Sequence, residues 1–243
     1  MSKESPVLVF DFDNTLFDTE ELKRTMYRAA IECGLTLVEA REVYNRARGG
    51  VSGKITISID SFFKELSAHI RDTGKEFDVQ KIVVLKQWLV DHSSKLVFAG
   101  VDDFLSKVTK RYSCYLISLG VPTWQREKIN LSGLAKYFPE DKIVLTDDVD
   151  TGKHAAFTKL FGKDSGGSNI ILFNDKPDES EDLLNNFSNM TMYIRRDMRD
   201  ERYRDEVIWQ RLREKYVDRV MISSDITELF RDFLKKTRCL TYY

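Results

Sequence analysis

Two aspartates, Asp11 and Asp13, stand directly behind the apolar run Val7-Leu8-Val9-Phe10. Strand geometry repeats every two residues, so both carboxylates leave the strand on the same side. Like charges held that close repel unless a cation or a shared proton offsets them. A hard ion such as Mg²⁺, which takes carboxylate oxygens and substrate phosphate oxygens together, meets that need. The stretch Asp11-Phe12-Asp13-Asn14-Thr15 is therefore the part of the chain best placed to do chemistry.

Something must hold that stretch. Short β-rich runs at 7–10, 112–119, 142–145, 169–173, 190–194 and 219–222 alternate with helix-length segments at 101–110, 125–137, 153–161, 177–187 and 225–235. Most of the runs are continuously apolar, as strands covered on both faces are. The alternation predicts an α/β fold, a doubly wound, parallel, Rossmann-like sheet whose ligands bind outside the carboxyl ends of the strands. Asp11 and Asp13 sit at such an end. One interval breaks the rhythm: about ninety residues separate the first run from the second, where a crossover needs only about a dozen. Within it Leu22, Met26, Ala29 and Cys33, then Phe62, Leu66 and Ile70, recur at helical spacing, and a denser apolar group spans 79–90. The expectation is a small inserted α-helical domain at residues 18–95, with the α/β core at 1–17 and 96–243.

The 243 residues carry 38 Lys+Arg against 39 Asp+Glu, a net charge of -1, which gives no electrostatic reason to expect nucleic acid as a partner. No stretch approaches the roughly 20 apolar residues of a membrane span, and Met1-Ser2-Lys3-Glu4-Ser5-Pro6 is unlike a secretory signal. Cys33, Cys114 and Cys239 share no close spacing, so neither a disulfide framework nor a zinc site follows, and Cys114 reads as a small buried hydrophobe. A reduced, cytoplasmic chain is expected. His69 and His92 lack matching metal-ligand partners, and His154 reads as a surface residue near a helix start. Gly49-Gly50-Val51-Ser52-Gly53-Lys54 fails as a P-loop, since Arg48 stands at the first glycine position and Ile55 follows the lysine. Its better use is a loop of the insert facing the site, where Arg48 or Lys54 touches substrate. In segment 195–219 nine Lys/Arg and seven Asp/Glu interleave, which predicts a solvated helix with local ion pairs.

Phe10-Asp11-Phe12-Asp13-Asn14-Thr15-Leu16-Phe17-Asp18 resembles the first signature of the haloacid-dehalogenase superfamily of hydrolases. Leu116-Ile117-Ser118-Leu119-Gly120 resembles the second, Leu134-Ala135-Lys136-Tyr137-Phe138 the approach to the third strand, Thr151-Gly152-Lys153 the third signature, and Ile171-Leu172-Phe173-Asn174-Asp175 with Glu179 the acidic fourth. Residues 217–229 resemble the closing strand and helix, and the inserted helices match a cap placed after the first signature. The resemblance implies that Asp11 is the nucleophile, forming an aspartyl-phosphate, and that Asp13 is the acid and base. Thr15 then supports the loop or positions water. Ser118 donates to a phosphoryl oxygen, and Lys153 brings positive charge to the nucleophile and phosphate. Asp175, helped by Glu179, holds Mg²⁺ with an Asp11 oxygen and the Asp13 carbonyl.

The chain departs from the family at three places. Leu119 stands where Asn is usual, Lys153-His154 replaces Lys-Pro, and Asn174-Asp175 replaces Gly-Asp or Asp-Asp. Lys128 is the alternative to Lys153, and Asp178 and Glu181 are alternatives to Glu179. Dehalogenases and phosphonatases of the superfamily lack a carboxylic acid at the position of Asp13, so the resemblance implies a Mg²⁺-dependent phosphatase. Its substrate is a small phosphorylated metabolite of nucleotide or sugar phosphate type, and the chain acts as a monomer or homodimer. A phosphomutase, a silent relative that only binds, and a phosphoacceptor receiver-like module are the competing readings. The receiver is about half this length and has no insert.

Overall fold

Six apolar runs become one parallel sheet: β1 (Val7–Phe10), β2 (Cys114–Leu119), β3 (Ile143–Thr146), β4 (Ile170–Asn174), β5 (Met190–Arg195) and β6 (Val220–Ser223), in the order β3-β2-β1-β4-β5-β6. The structure is a computed structural model and describes residues 5–48, 57–75, 79–147, 152–162 and 169–239. Ten α-helices accompany the strands among the described residues: α1 (Thr19–Glu32), α2 (Leu37–Arg48), α3 (Ile59–Asp72), α4 (Val79–His92), α5 (Val101–Val108), α6 (Pro122–Leu131), α7 (Gly152–Phe161), α8 (Pro177–Asn186), α9 (Glu206–Lys215) and α10 (Ile226–Cys239). None is long and apolar enough to cross a membrane.

The pleat of β1 divides the core. Leu8 and Phe10 join the apolar layer built with α5, α6, α10 and the helices that follow β1, while Val9 joins the opposite layer with α7, α8 and α9. Both faces are thus covered, as the unbroken apolar runs require. This is the expected doubly wound α/β fold.

Register positions the chemistry. Phe10 lies opposite Leu116 of β2 and Phe173 of β4. The first residues past β1 therefore meet the ends of both neighbours, and the Asp11 N–H continues the ladder to the Phe173 carbonyl at 2.9 Å. Ser118, Asn174 and Asp175 come to the same carboxyl edge as Asp11.

Helices α1 to α4 fill the long interval after β1. The chain leaves through residues 14–18 and returns through 96–98, and these two strands run side by side. The Asp18 N–H donates to Leu96 O at 2.7 Å and the Phe98 N–H to Leu16 O at 3.0 Å, around an antiparallel Phe17–Val97 bridge. Asp18 then caps α1, accepting from the Glu21 N–H at 2.9 Å. Before it, Asn14 takes a left-handed backbone (φ 57°), and its side-chain oxygen accepts from the Glu20 N–H at 3.2 Å. Left-handed backbone costs an ordinary L-residue roughly 1–2 kcal/mol. Asn14→Ala is accordingly expected to lower the free energy of unfolding in urea by about 1–2 kcal/mol, and Asn14→Gly by less. Equal losses in the two variants would mean that the backbone of residue 14 stores no such cost.

Two predicted elements differ. The helix expected at 125–137 begins at Pro122, whose fixed φ suits a first turn, and ends at Leu131. Gly133 then adopts φ 73°, and a separate 3₁₀ turn covers Leu134–Tyr137. In segment 195–219 α9 is the one α-helix, with Arg213 paired to Glu206 on its surface, and a 3₁₀ turn covers Glu201–Tyr203. Residues 196–205 form a loop in which Asp197 and Asp200 are buried, as is the preceding Arg195 at the end of β5. The solvated reading fits α9 and not the loop.

Candidate active site

At the end of β1, Asp11 is almost fully buried. Its Oδ1 lies 2.7 Å from Lys153 Nζ and its Oδ2 accepts from the Thr15 hydroxyl at 3.3 Å. Lys153, on the first turn of α7, is 1% exposed and serves three acceptors: Asp11 Oδ1, Glu179 Oε1 at 2.7 Å and Asn174 Oδ1 at 2.9 Å. Three acceptors match the three N–H groups of an ammonium. Burial by itself works against the charge of Lys153, but Asp11 and Glu179 outweigh it and push its pKa up. Glu179 answers in kind: burial opposes its charge, and Lys153 and Lys176 hold its pKa below the usual range. Asn174 completes the group by donating to Glu179 Oε1 at 3.2 Å and to Ser180 Oγ at 3.0 Å. The departure from Gly-Asp or Asp-Asp at this position is thus an amide that braces the lysine and its carboxylate.

Asp13 has a lysine of its own. Lys128, buried on α6 beside the rings of Phe12 and Trp124, forms a short ion pair with Asp13 Oδ1. Thr19 donates to the same oxygen at 2.6 Å, and Gln125 Nε2 donates to Oδ2 at 2.8 Å. Partial burial disfavours the Asp13 charge, yet Lys128 and these donors win and hold its carboxyl below the ordinary value. Lys128 and Lys153 therefore do not compete for one role; each serves one aspartate. Gln125 was missed by sequence reasoning. Its signal was a buried face of α6, made by Trp124, Gln125, Lys128 and Ile129, that carries two polar residues between two apolar ones.

Gln125 is seated by a glycine. Gly120 has φ 153°, and a Cβ there would come within 2.4 Å of Gln125 Nε2. Gly120→Ala is expected to displace the amide and loosen Asp13, lowering turnover by about tenfold to a hundredfold, the scale of a misplaced catalytic group. Steady-state kinetics checks this, and an unchanged kcat would remove Gln125 from the positioning of Asp13.

Two further polar atoms at this edge are buried and lack a partner among the described residues: Ser118 Oγ and Asp175 Oδ1. Burial, and next the Asp11 carboxylate beside it, push the Asp175 pKa well up. Two carboxylates that repel in a buried setting, one with an unpaired oxygen, suit a divalent oxygen-seeking cation. Among the described residues no three His, Cys, Asp or Glu side chains form a ready cage. An ion that keeps several waters needs only Asp11, Asp175 and the neighbouring carbonyl of Asp13. Glu179 is turned instead to Lys153, with Lys176 at 3.8 Å from its other oxygen.

The remaining expectations fall elsewhere. Lys54 and Thr151 lie outside the described residues. Arg48 ends α2, close enough to Tyr27 and Tyr44 to act on their phenols. Asp178 accepts from Tyr203 and Glu181 pairs with Arg211. His69 bonds Arg46 within the insert, His92 stacks on Trp88, and His154 meets the edge of Phe187. A cavity of about 400 Å³ opens between the insert, at Ala47, Ile57, Ser58 and Ser61, and α6, at Thr123 and Trp124. It adjoins the turn of α6 that carries Gln125 and Lys128.

Residues 6–164 match the family model of the haloacid dehalogenase-like hydrolases. No curated protein sequence matches the chain. Among solved structures, a haloacid dehalogenase-like hydrolase of Xanthomonas campestris is 17% identical with a TM-score of 0.59, covering 96% of both chains. A HAD-type hydrolase of Bacillus subtilis with magnesium bound is 17% identical (TM-score 0.53; 94% of this chain, 98% of that one). A protein described as a beta-phosphoglucomutase of Thermotoga maritima is 16% identical (TM-score 0.57; 95% and 99%). At these identities the structural likeness speaks for the fold, and the family model speaks for descent: the chain belongs to the haloacid dehalogenase-like hydrolases.

Proposed function

We propose that the protein is a Mg²⁺-dependent phosphatase that hydrolyses a small phosphorylated metabolite through an aspartyl-phosphate on Asp11. The observation that carries this reading is the pair of buried lysine–aspartate contacts at one sheet edge, Lys153 on Asp11 and Lys128 on Asp13. A dehalogenase has no use for the second carboxylate; phosphate-ester chemistry does.

Asp11 attacks phosphorus through one carboxylate oxygen while Thr15 and Lys153 keep the side chain aligned. The bond to the leaving oxygen breaks, and Lys153 and the Ser118 hydroxyl offset the charge on the phosphoryl oxygens. Asp11, Asp175 and the Asp13 carbonyl would hold Mg²⁺, which when bound would supply further neutralisation of the phosphate charge. Asp13, ionised beside Lys128 in the resting site, takes up a proton from solvent as its carboxyl turns from Lys128 to the substrate and passes it to the leaving oxygen. As a carboxylate it then draws a proton from the water that splits the aspartyl-phosphate. Glu179 and Asn174 act by holding Lys153. Residues 18–95 serve as the cap over this edge, and the leaving group occupies the cavity between the cap and α6.

The test is a phosphate-release screen over nucleotides, sugar phosphates and small acid phosphates, with Mg²⁺ and with EDTA, and with Asp11→Asn as control. Mg²⁺-dependent release from at least one class is expected. Silence across the panel, with the control indistinguishable from wild type, would overturn the proposal. Release to water also separates this reading from a phosphomutase, which returns the phosphoryl group to a second hydroxyl.

A further inference from the structure

We infer that Arg195 and Arg199, at and just past the end of β5, are positioning residues that clamp both linker strands of the helical insert and, through them, the turn bearing Asp11 and Asp13. Arg195 Nη1 donates to the Asn14 carbonyl at 2.8 Å, and its guanidinium lies 3.9 Å from the centre of the Phe98 ring. One side chain thus holds the outgoing strand at residue 14 and the returning strand at residue 98. Arg199 forks onto Asp18, Nη1 to Oδ2 at 2.9 Å and Nη2 to Oδ1 at 2.7 Å, across 181 residues of sequence. Asp18 in turn bonds Leu96 O through its N–H and caps α1. Asp197 sits between the arginines and is buried, accepting from Arg195 Nη1 at 3.1 Å and from Arg199 Nε at 2.9 Å and Nη2 at 2.6 Å.

The cluster balances: two guanidinium groups against two carboxylates. Bidentate, charge-assisted bonds of this kind fix orientation as well as distance, and a low local dielectric strengthens them. The turn at 12–17 needs such support, since Asn14 holds a left-handed backbone within it. Any swing of α1–α4 passes through residues 14–18 and 96–98. With both strands tied to β5, that motion starts beyond Asp18 and before Leu96, and the aspartates stay still. None of the three side chains at 195, 197 and 199 reaches the reacting atoms, so their effect is exerted through the turn. The catalytic part of this inference rests on the phosphatase reading; the mechanical part does not.

The test compares wild type with Arg199→Met, Arg199→Lys and Asp18→Asn, which keeps a helix-capping side chain. Hydrogen exchange is followed in 12–18 and 96–98 against β1 and β4. Arg199→Met and Asp18→Asn are expected to speed exchange in the linker strands by at least about tenfold more than in β1 and β4. With p-nitrophenyl phosphate and Mg²⁺, kcat should fall by at least about tenfold while KM moves less than about threefold, and Arg199→Lys should lie between. Exchange that rises only at 196–205, or equally in β1 and β4 with a lower Tm, overturns the clamp. So does faster linker exchange with unchanged kcat. If wild type releases phosphate neither from p-nitrophenyl phosphate nor from any member of the metabolite panel, the phosphatase reading fails and the exchange measurement alone decides the clamp.

Discussion

Lys153→Met is expected to cost about 3–5 kcal/mol of stability and to lower turnover sharply. The side chain is fully buried, and its loss leaves Asp11, Glu179 and the Asn174 carbonyl oxygen facing one another without their shared donor. Removing one partner of a buried ion pair is costly because the charge left behind stays desolvated. Lys176, at 3.8 Å from Glu179, offers partial relief and none to Asp11. For a chain of this length, about 3–5 kcal/mol lowers Tm by roughly 6–20 °C, which calorimetry resolves. Asp11→Asn added to Lys153→Met should recover part of that loss, because the stranded charge is gone; a double-mutant cycle reads the coupling directly. If Lys153→Met melts with wild type, the lysine is not the counter-charge of the nucleophile. The catalytic loss should reach about a thousandfold, the scale of a cation acting on a transferring phosphoryl group.

Asp11→Asn is expected to leave the fold intact and lower phosphate release by at least about 10⁴-fold. The amide oxygen still accepts from Lys153 or Thr15, so the local hydrogen bonds survive in part. What disappears is the nucleophile. Asp175 then loses the neighbouring carboxylate that helps to raise its pKa, and that pKa should fall in the variant. Wild type quenched during turnover should carry one phosphoryl group on the peptide containing Asp11, and the variant none. A variant within about tenfold of wild type would move the nucleophile elsewhere.

Much of the architecture was legible because it rests on local patterns. Continuously apolar runs mark strands buried on both faces, and all six appear within a residue or two of their expected positions. Helical periodicity after β1 pointed to the insert in the same way. Where reading by pattern slipped, a backbone property intervened: Gly133 in a left-handed conformation cut one helix short. In segment 195–219 charge pattern misled for another reason. A hydropathy count treats every Arg and Asp as solvent-seeking, yet Arg195 and Asp197 neutralise each other inside the fold.

The sequence by itself determined the sheet, the long insert and the acidic pair that ends the first strand. Each follows from the identity and spacing of residues close together in the chain. Only the tertiary structure decided which side chains serve that pair. Lys128 meets Asp13 across 115 residues, and Arg199 meets Asp18 across 181. The strand order β3-β2-β1-β4-β5-β6 creates those contacts. It places the helix after β2 beside Asp13 and leads the loop after β5 back over the turn that follows β1. Desolvation then makes partnership obligatory, because a buried lysine keeps its charge, and a buried arginine is tolerated, only where acceptors replace the lost water.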